Sequence, residues 1–268
     1  MFDETYGTLF REDIPYEEEV PNYTKENWEI GFGLQAIDGL KPSKYLVELA
    51  EKQVAGKISY QELEEKMKEY HASDESFSDS DEADFSAMRI AKILATNTFG
   101  LRPPVLVGYH KQLFSNIESF NYPVGEYRTI NIKKTEDVLN GDSVQYSYHE
   151  EIDDALGSIF EQERRKSYRK MSKEEVAYEA MDFIATIWHI HPFREGNTRT
   201  AAVYAIKYYR HLGFKIDNEP FKNHAQYFRD SLTLASAEFD KRTDKYLRMF
   251  TENIVLGGQN ELVIPKQM

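Results

Sequence analysis

Cysteine is absent from the 268 residues. That excludes disulfides, thiolate nucleophiles and cysteine-ligated zinc, and it suits a reducing compartment. No apolar run approaches the ~18 residues that a membrane-spanning helix needs. The acidic N-terminus lacks the apolar stretch of a secretory signal. A cytoplasmic protein without a membrane segment is expected. Basic charge is in short supply, with 33 Lys plus Arg against 46 Asp plus Glu and a formal net charge of -13. A surface of that sign repels bare phosphate backbones, so broad nucleic-acid binding is disfavoured and only a local basic site remains open.

Hydrophobic residues make up 41% of the chain, enough for a sizeable core and too many for a disordered protein. Residues 1–71 read as an irregular acidic arm followed by three short helices, over 24–40, 43–56 and 59–71. Thr24 is a candidate N-cap, and Ser59 with Glu62 has capping-box spacing. Trp28, Ile30, Leu34 and Ile37 share one face of the first helix. Residues 72–84 are rich in Ser, Asp and Glu and read as a solvated linker. The main body is expected over 85–258, with 259–268 as a tail. It is mainly α-helical. One β-hairpin is expected over 123–148, where β-branched and aromatic residues flank the Asn140-Gly141 turn signal. The clearest helix opens with the capping box Ser172 and Glu175 and carries Val176, Ala180, Phe183, Ile184, Ile187 and Trp188 on one face.

That helix runs into His191-Pro192, and proline disfavours helical geometry at the residue before it. Phe193 is expected to anchor the turn. Gly196 permits a backbone conformation closed to other residues, and a new helix starts near Thr198. Amides at the start of a helix form an anion nest. Arg199 adds a guanidinium in the first turn. Glu195 beside an anion site makes sense if it holds Mg²⁺ bridging phosphates. His191 can accept a proton from an incoming hydroxyl. Base, metal ligand, nest and clamp within one short segment are the equipment for phosphoryl or nucleotidyl transfer. A capped inter-helix turn explains Pro192 and Gly196, but not His191, Glu195, Asn197 and Arg199 together. A metal pair of His189 and His191 is less favoured, because no third ligand is adjacent. His110, His149, His211 and His224 read as structural or surface residues, and Tyr204, Tyr208 and Tyr209 as core.

The stretch HPFREGNTR (191–199) resembles the Fic-family signature, H-x-F-x-(D/E)-G-N-x-R, at every fixed position. The resemblance implies the Fic fold: a helical bundle with a β-hairpin flap ahead of the motif helix. It implies transfer of AMP from ATP to a Thr, Tyr or Ser hydroxyl of a target protein, with self-modification as a side reaction. His191 would be the base, Phe193 the anchor and Glu195 the Mg²⁺ ligand. Gly196, Asn197, Thr198 and Arg199 would bind the nucleotide phosphates. A target segment would add to the flap as an extra strand. Copies of the chain could assemble, as family members do. The related Doc kinases usually lack the glycine found here at Gly196. Many members carry a second arginine for the γ-phosphate where this chain has Ala202.

Fic enzymes are often held off by a helix bearing (S/T)-x-x-x-E-(G/N), supplied by an antitoxin or by the same chain. Residues 24–71 resemble such a fused antitoxin. The expected place holds Leu34, Asp38 and Gly39, so Asp38 and Gly39 are the candidate inhibitory residues. With Ala202 opposite, the usual ion pair is not expected. The module should then cover the site by shape and packing, and deleting 1–71 should raise activity. Ser78 and Glu82 share the motif's spacing but lie in the linker-like run and are set aside. Two other readings stand beside this one. The chain could use another nucleotide donor or remove AMP, or it could be a catalytically weak regulatory protein.

Overall fold

The computed structural model describes residues 22–73, 76 and 79–265. The acidic arm before residue 22, Ser78 and the last three residues lie outside the described residues. No strand occurs among the described residues. Helices α1 (Lys25–Gly33), α2 (Lys44–Val54) and α3 (Tyr60–His71) open the chain. The side chains of Thr24, Ser43 and Ser59 cap them, the last as a full capping box with Glu62. The sequence pattern over 24–40 is one helix only as far as Gly33. A 3-10 turn, Leu34–Asp38, then carries the chain to Gly39 (φ 69°).

Helix α4 (Asp81–Leu94) starts inside the stretch read as linker. Ser80 caps it, and Asp81, Glu82 and Asp84 occupy its first turn. Acidic side chains are favoured there by the helix dipole, so a composition that looked solvated is in part a helix start. The body continues with α5 (Pro103–Phe114), α6 (Ile152–Arg165), α7 (Lys173–Ile190), α8 (Asn197–His211), α9 (Glu219–Asn223), α10 (Ala225–Ala235) and α11 (Lys245–Thr251). Helix α8 is buried along nearly its whole length, with Tyr204, Tyr208 and Tyr209 in the core, and it packs on α4, α5 and α7.

The hairpin expected over 123–148 does not form among the described residues. The turn is present, with Asn140 (φ 56°) and Gly141 (φ 91°) left-handed and Glu136 N–H donating to Asp142 O at 2.9 Å. Beyond the turn the arms form no backbone ladder; side chains link them to each other and to the body. Arg128 N–H donates to Pro192 O at 2.8 Å, and the buried Arg128 guanidinium binds the carbonyls of Ile130, Ser147, Ile190 and His191. A two-stranded ladder is marginal in water, and these bonds outcompete it.

The N-terminal helices share the core of the body. Trp28, Ile30, Leu34 and Ile37 are buried, and α1 packs on α4 and α9. Two glycines permit that approach. A Cβ on Gly31 would stand 2.6 Å from Ala87 O, and one on Gly33 would meet the backbone of Phe221 and Lys222. Removing residues 1–71 would therefore strip apolar surface from α4 and α9. Gly31→Ala should lower the unfolding free energy by about 1–3 kcal/mol through overpacking. Gly157→Ala, where a Cβ meets open space inside α6, should raise it by roughly 0.5–1 kcal/mol. Urea denaturation of both variants gives the two signs; a neutral Gly31→Ala would mean α1 is loosely docked.

Candidate active site

Helix α7 ends at His191, whose backbone is left-handed (φ 52°, ψ 61°), rare for a residue with a side chain. Three neighbours fix it there. Pro192 follows, Arg128 Nε donates to His191 O at 2.8 Å, and Tyr146 lies against the imidazole with ring centroids 4.1 Å apart. His191 is 2% exposed. Its Nδ1 lies 3.1 Å from Trp188 O, a contact that requires the proton on Nδ1. Nε2 is then a bare acceptor, buried and without a partner. Burial, aided by the charges of Lys134, Arg128 and Arg229, pushes the imidazole well below its ordinary value.

The loop that follows is closed by Asn197, which accepts from Phe193 N–H at 3.0 Å and donates to Phe193 O at 2.8 Å. Phe193 is buried and stacks on His110 at 3.8 Å. Gly196 (φ 77°) caps α8, and a Cβ there would collide with the Phe114 ring. The side chains of Asn197 and Thr198 face inward. Thr198 Oγ1 accepts from Trp188 Nε1 at 2.9 Å. Any anion contact from these two residues would have to come from their main chain. First-turn amides of a helix have no intrahelical acceptor, so α8 offers them to an outside group.

Glu195, Arg199, Asp38, Gly39, Glu82, Lys134 and Arg229 line one open cleft. Its charged groups are paired across it. Lys134 Nζ lies 3.2 and 3.1 Å from the two Glu195 oxygens. Burial raises the Glu195 carboxyl, but Lys134 and the Gly196 N–H outweigh it, so the net shift is downward. Arg199 is fully buried, with Nη2 2.5 Å from Glu82 Oε1 and Nη1 bonded to Gln35 Oε1 (3.2 Å) and Ser86 Oγ (3.3 Å). Its Nε approaches Asp38 Oδ2 at 2.8 Å, off the N–H axis, as an ion contact without a hydrogen bond. The guanidinium lies over the Phe114 ring at 4.7 Å.

The usual pair with position 202 is absent, as the sequence implied, but Asp38 finds a cation the sequence did not point to. Ala202 is buried and offers none, but Asp38 reaches Arg199, one turn earlier on α8. Glu82, set aside as linker, is the closer partner. Gly39 lines the cleft as the left-handed end of the 3-10 turn. His189 faces a separate cleft with Asp182 and Arg242, away from His191. Among the described residues, no cluster of three or more His, Cys, Asp or Glu could hold a metal by itself. Glu195 still fits Mg²⁺ as one carboxylate completed by phosphate oxygens, the usual mode for that ion. A cationic ammonium already bridges its two oxygens. Sequence reasoning missed Lys134, Glu136, Tyr146, Arg128 and Arg229. Lys134, Arg128 and Arg229 signal only basic charge in an acidic chain, Glu136 and Tyr146 not even that, and none of this says where each side chain lands.

His110 joins the flap to this loop. Gly125 N–H donates to its Nδ1 at 2.9 Å, so the Nε2 proton faces Glu195 O at 3.0 Å.

Residues 101–209 match the family model of the Fic/DOC family. A probable protein adenylyltransferase of Sinorhizobium fredii is 31% identical over 110 residues, which cover 40% of this chain and 52% of that relative. The chain thus spans about half the length of the curated relative it matches. The N-terminal FIC domain of a VirB-translocated effector protein from Bartonella sp. 1-1C is 18% identical, at a TM-score of 0.50, covering 64% of this chain and 81% of that one. A FIC domain containing signaling protein from Bacteroides thetaiotaomicron is 14% identical, at a TM-score of 0.49, covering 85% and 90%. The Bartonella domain shows a shared fold.

Burial pushes His110 down to about 4 from 6.5. Between those values the unfolded chain binds a proton that the folded chain does not. Stability from this group is complete above pH 6.5 and is lost as the pH falls toward 4. His110→Gln should flatten the slope of unfolding free energy in that window by up to about 1.4 kcal/mol per pH unit. An unchanged slope would mean the imidazole protonates freely in the fold.

Proposed function

We propose, from the match of residues 101–209 to the Fic/DOC family model, that the chain transfers AMP from ATP to a hydroxyl side chain of a target protein. The observation that carries the reading is the neutral imidazole of His191, its Nδ1 committed to Trp188 and its Nε2 a bare acceptor, on the loop that also supplies Glu195 and Arg199. In this reading a Thr, Tyr or Ser hydroxyl of the target gives its proton to His191 Nε2. Its oxygen bonds to the α-phosphorus, and the bond to the β-phosphate breaks, releasing pyrophosphate. First-turn amides of α8 and the Arg199 guanidinium bind the phosphates. Glu195 would hold Mg²⁺, which neutralises charge on the α- and β-phosphates. Extended arms over 123–148, with Ile130 and Tyr148 exposed, would receive the target segment as an added strand. A chain with such an acceptor hydroxyl of its own would also modify itself.

The chain's own charges hold this site off, from the turn after α1, the start of α4 and the 123–148 segment. Asp38 and Glu82 occupy Arg199, and Lys134 occupies Glu195. Because α1 belongs to the core, charge removal tests the brake better than truncation. ATP labelled on its α-phosphate, Mg²⁺ and a cell lysate would be given to the wild-type chain, to Asp38→Asn/Glu82→Gln, and to that variant carrying His191→Ala. Labelled protein should rise about tenfold or more on charge removal, the loss of two charge-assisted contacts that compete with phosphate. It should vanish with His191→Ala. No label from any folded form would defeat the transfer reading, and equal label with and without Asp38 and Glu82 would defeat the brake.

A second expectation concerns pH. The His191 imidazole is pushed well below 6.5, so it stays neutral as the medium turns mildly acidic. The acid limb of kcat/KM, which reports the free enzyme's base, should fall well below pH 6.5. A midpoint at or above that value would mean a different base or an exposed one.

A further inference from the structure

We propose that Arg229 is a phosphate-binding residue that takes the terminal phosphate of the nucleotide. The inference rests on the nucleotide reading above and adds a residue to it. Helix α8 supplies one guanidinium to the cleft, Arg199. One turn further along it stands Ala202, buried and without charge. A triphosphate carries more negative charge than Arg199 and the amides of one helix end can match. Arg229 enters the same cleft from α10 and lines it beside Arg199, Glu195 and Lys134. Its side chain is 26% exposed, whereas Arg199 is sealed. An arginine fork recognises phosphate oxygens two at a time, and two forks from two helices make a clamp.

The contacts Arg229 now makes are ones it can leave. Nη2 lies 3.1 and 3.4 Å from the Glu136 oxygens, and Nη1 lies 3.4 Å from Ile37 O. Apart from the first, these are long for hydrogen bonds. Glu136 is 4% exposed, and burial raises its carboxyl despite Arg229 and Lys134. Burial disfavours the charge on that carboxyl, so its hold on Arg229 is opposed by desolvation. Tyr146 OH also reaches Glu136, at 3.4 Å. Arg229 on Glu136 thus fills, with the chain's own carboxylate, a position suited to a phosphate.

A plain strut between α10 and the flap would share this geometry, and nucleotide length separates the two roles. Binding of ATP, ADP and AMP with Mg²⁺ would be measured by calorimetry on the full chain carrying Asp38→Asn/Glu82→Gln, which leaves Arg199 open. Adding Arg229→Gln should weaken ATP about tenfold or more, the loss of a charge-assisted contact. AMP should stay within about twofold, below the energy of one such contact. Arg229→Lys should recover part of the loss. Glu136→Gln keeps the arginine and removes its carboxylate, so ATP should bind more tightly. That variant also decides the matter should Arg229→Gln fail to fold. Equal losses for ATP and AMP, no loss for ATP, or ATP weakened by Glu136→Gln would overturn the assignment. If every folded form ignores all three nucleotides, the transferase reading falls and takes this inference with it. ATP binding that is indifferent to Arg229 overturns the inference alone.

Discussion

A fully buried guanidinium cannot stand unpaired, and in this chain that constraint falls on Arg199. Desolvating a lone cation costs several kcal/mol, so the fold must bring partners to it. They come from three places. Asp38 and Gln35 arrive on the 3-10 turn after α1, Glu82 and Ser86 on the first turns of α4, and Phe114 from the end of α5. The docking of the N-terminal helices and the closing of the cleft are thus one event. Gly31 and Gly33 let α1 approach closely enough for Gln35 and Asp38 to arrive. A phosphate on Arg199 must move carboxylates that the core holds in place.

The second constraint is the 123–148 segment, which lies on the loop after α7 without a strand ladder. Arg128 alone binds carbonyls on both arms and on the end of α7. His110 ties Gly125 to Glu195 O, and Tyr146 covers the His191 ring. The imidazole is thereby ordered and sealed, and burial favours its neutral form. Tyr146 is tied to Glu136, and Glu136 to Arg229, so the cover over His191 connects by direct contacts to a cation of the cleft.

The motif was legible because its residues are contiguous. His191, Glu195, Gly196 and Arg199 sit on one loop between two well-capped helices, and the boxes at Ser59 and Ser172 mark helix starts from local chemistry alone. What failed was long-range. The family pattern directs Asp38 to position 202, where this chain has Ala202, whereas the cation it meets is one turn away at Arg199. Glu82 was hidden by its neighbours, since acids at a helix start and acids in a linker look alike in composition. Lys134 and Arg229 reach the cleft from other segments, and nothing in the residues around them specifies that arrival. The β-branched and aromatic residues over 123–148 suggested extended arms but could not show that side chains, in place of a backbone ladder, would join them to each other and to the body. Asn197 and Thr198 were placed in the right loop, yet their side chains serve the loop itself.

The charges of the cleft also bear on what can open it. Arg199 faces Asp38 and Glu82, Lys134 faces Glu195, and Arg229 faces Glu136. A bare anion could take Arg199 only by leaving Asp38 and Glu82 without their cation. A bare divalent cation could take Glu195 only by releasing Lys134 beside two arginines. In the proposed reading, a polyphosphate with a divalent cation would meet Glu195 and the three cations together, while Asp38, Glu82 and Glu136 would each have to find another partner.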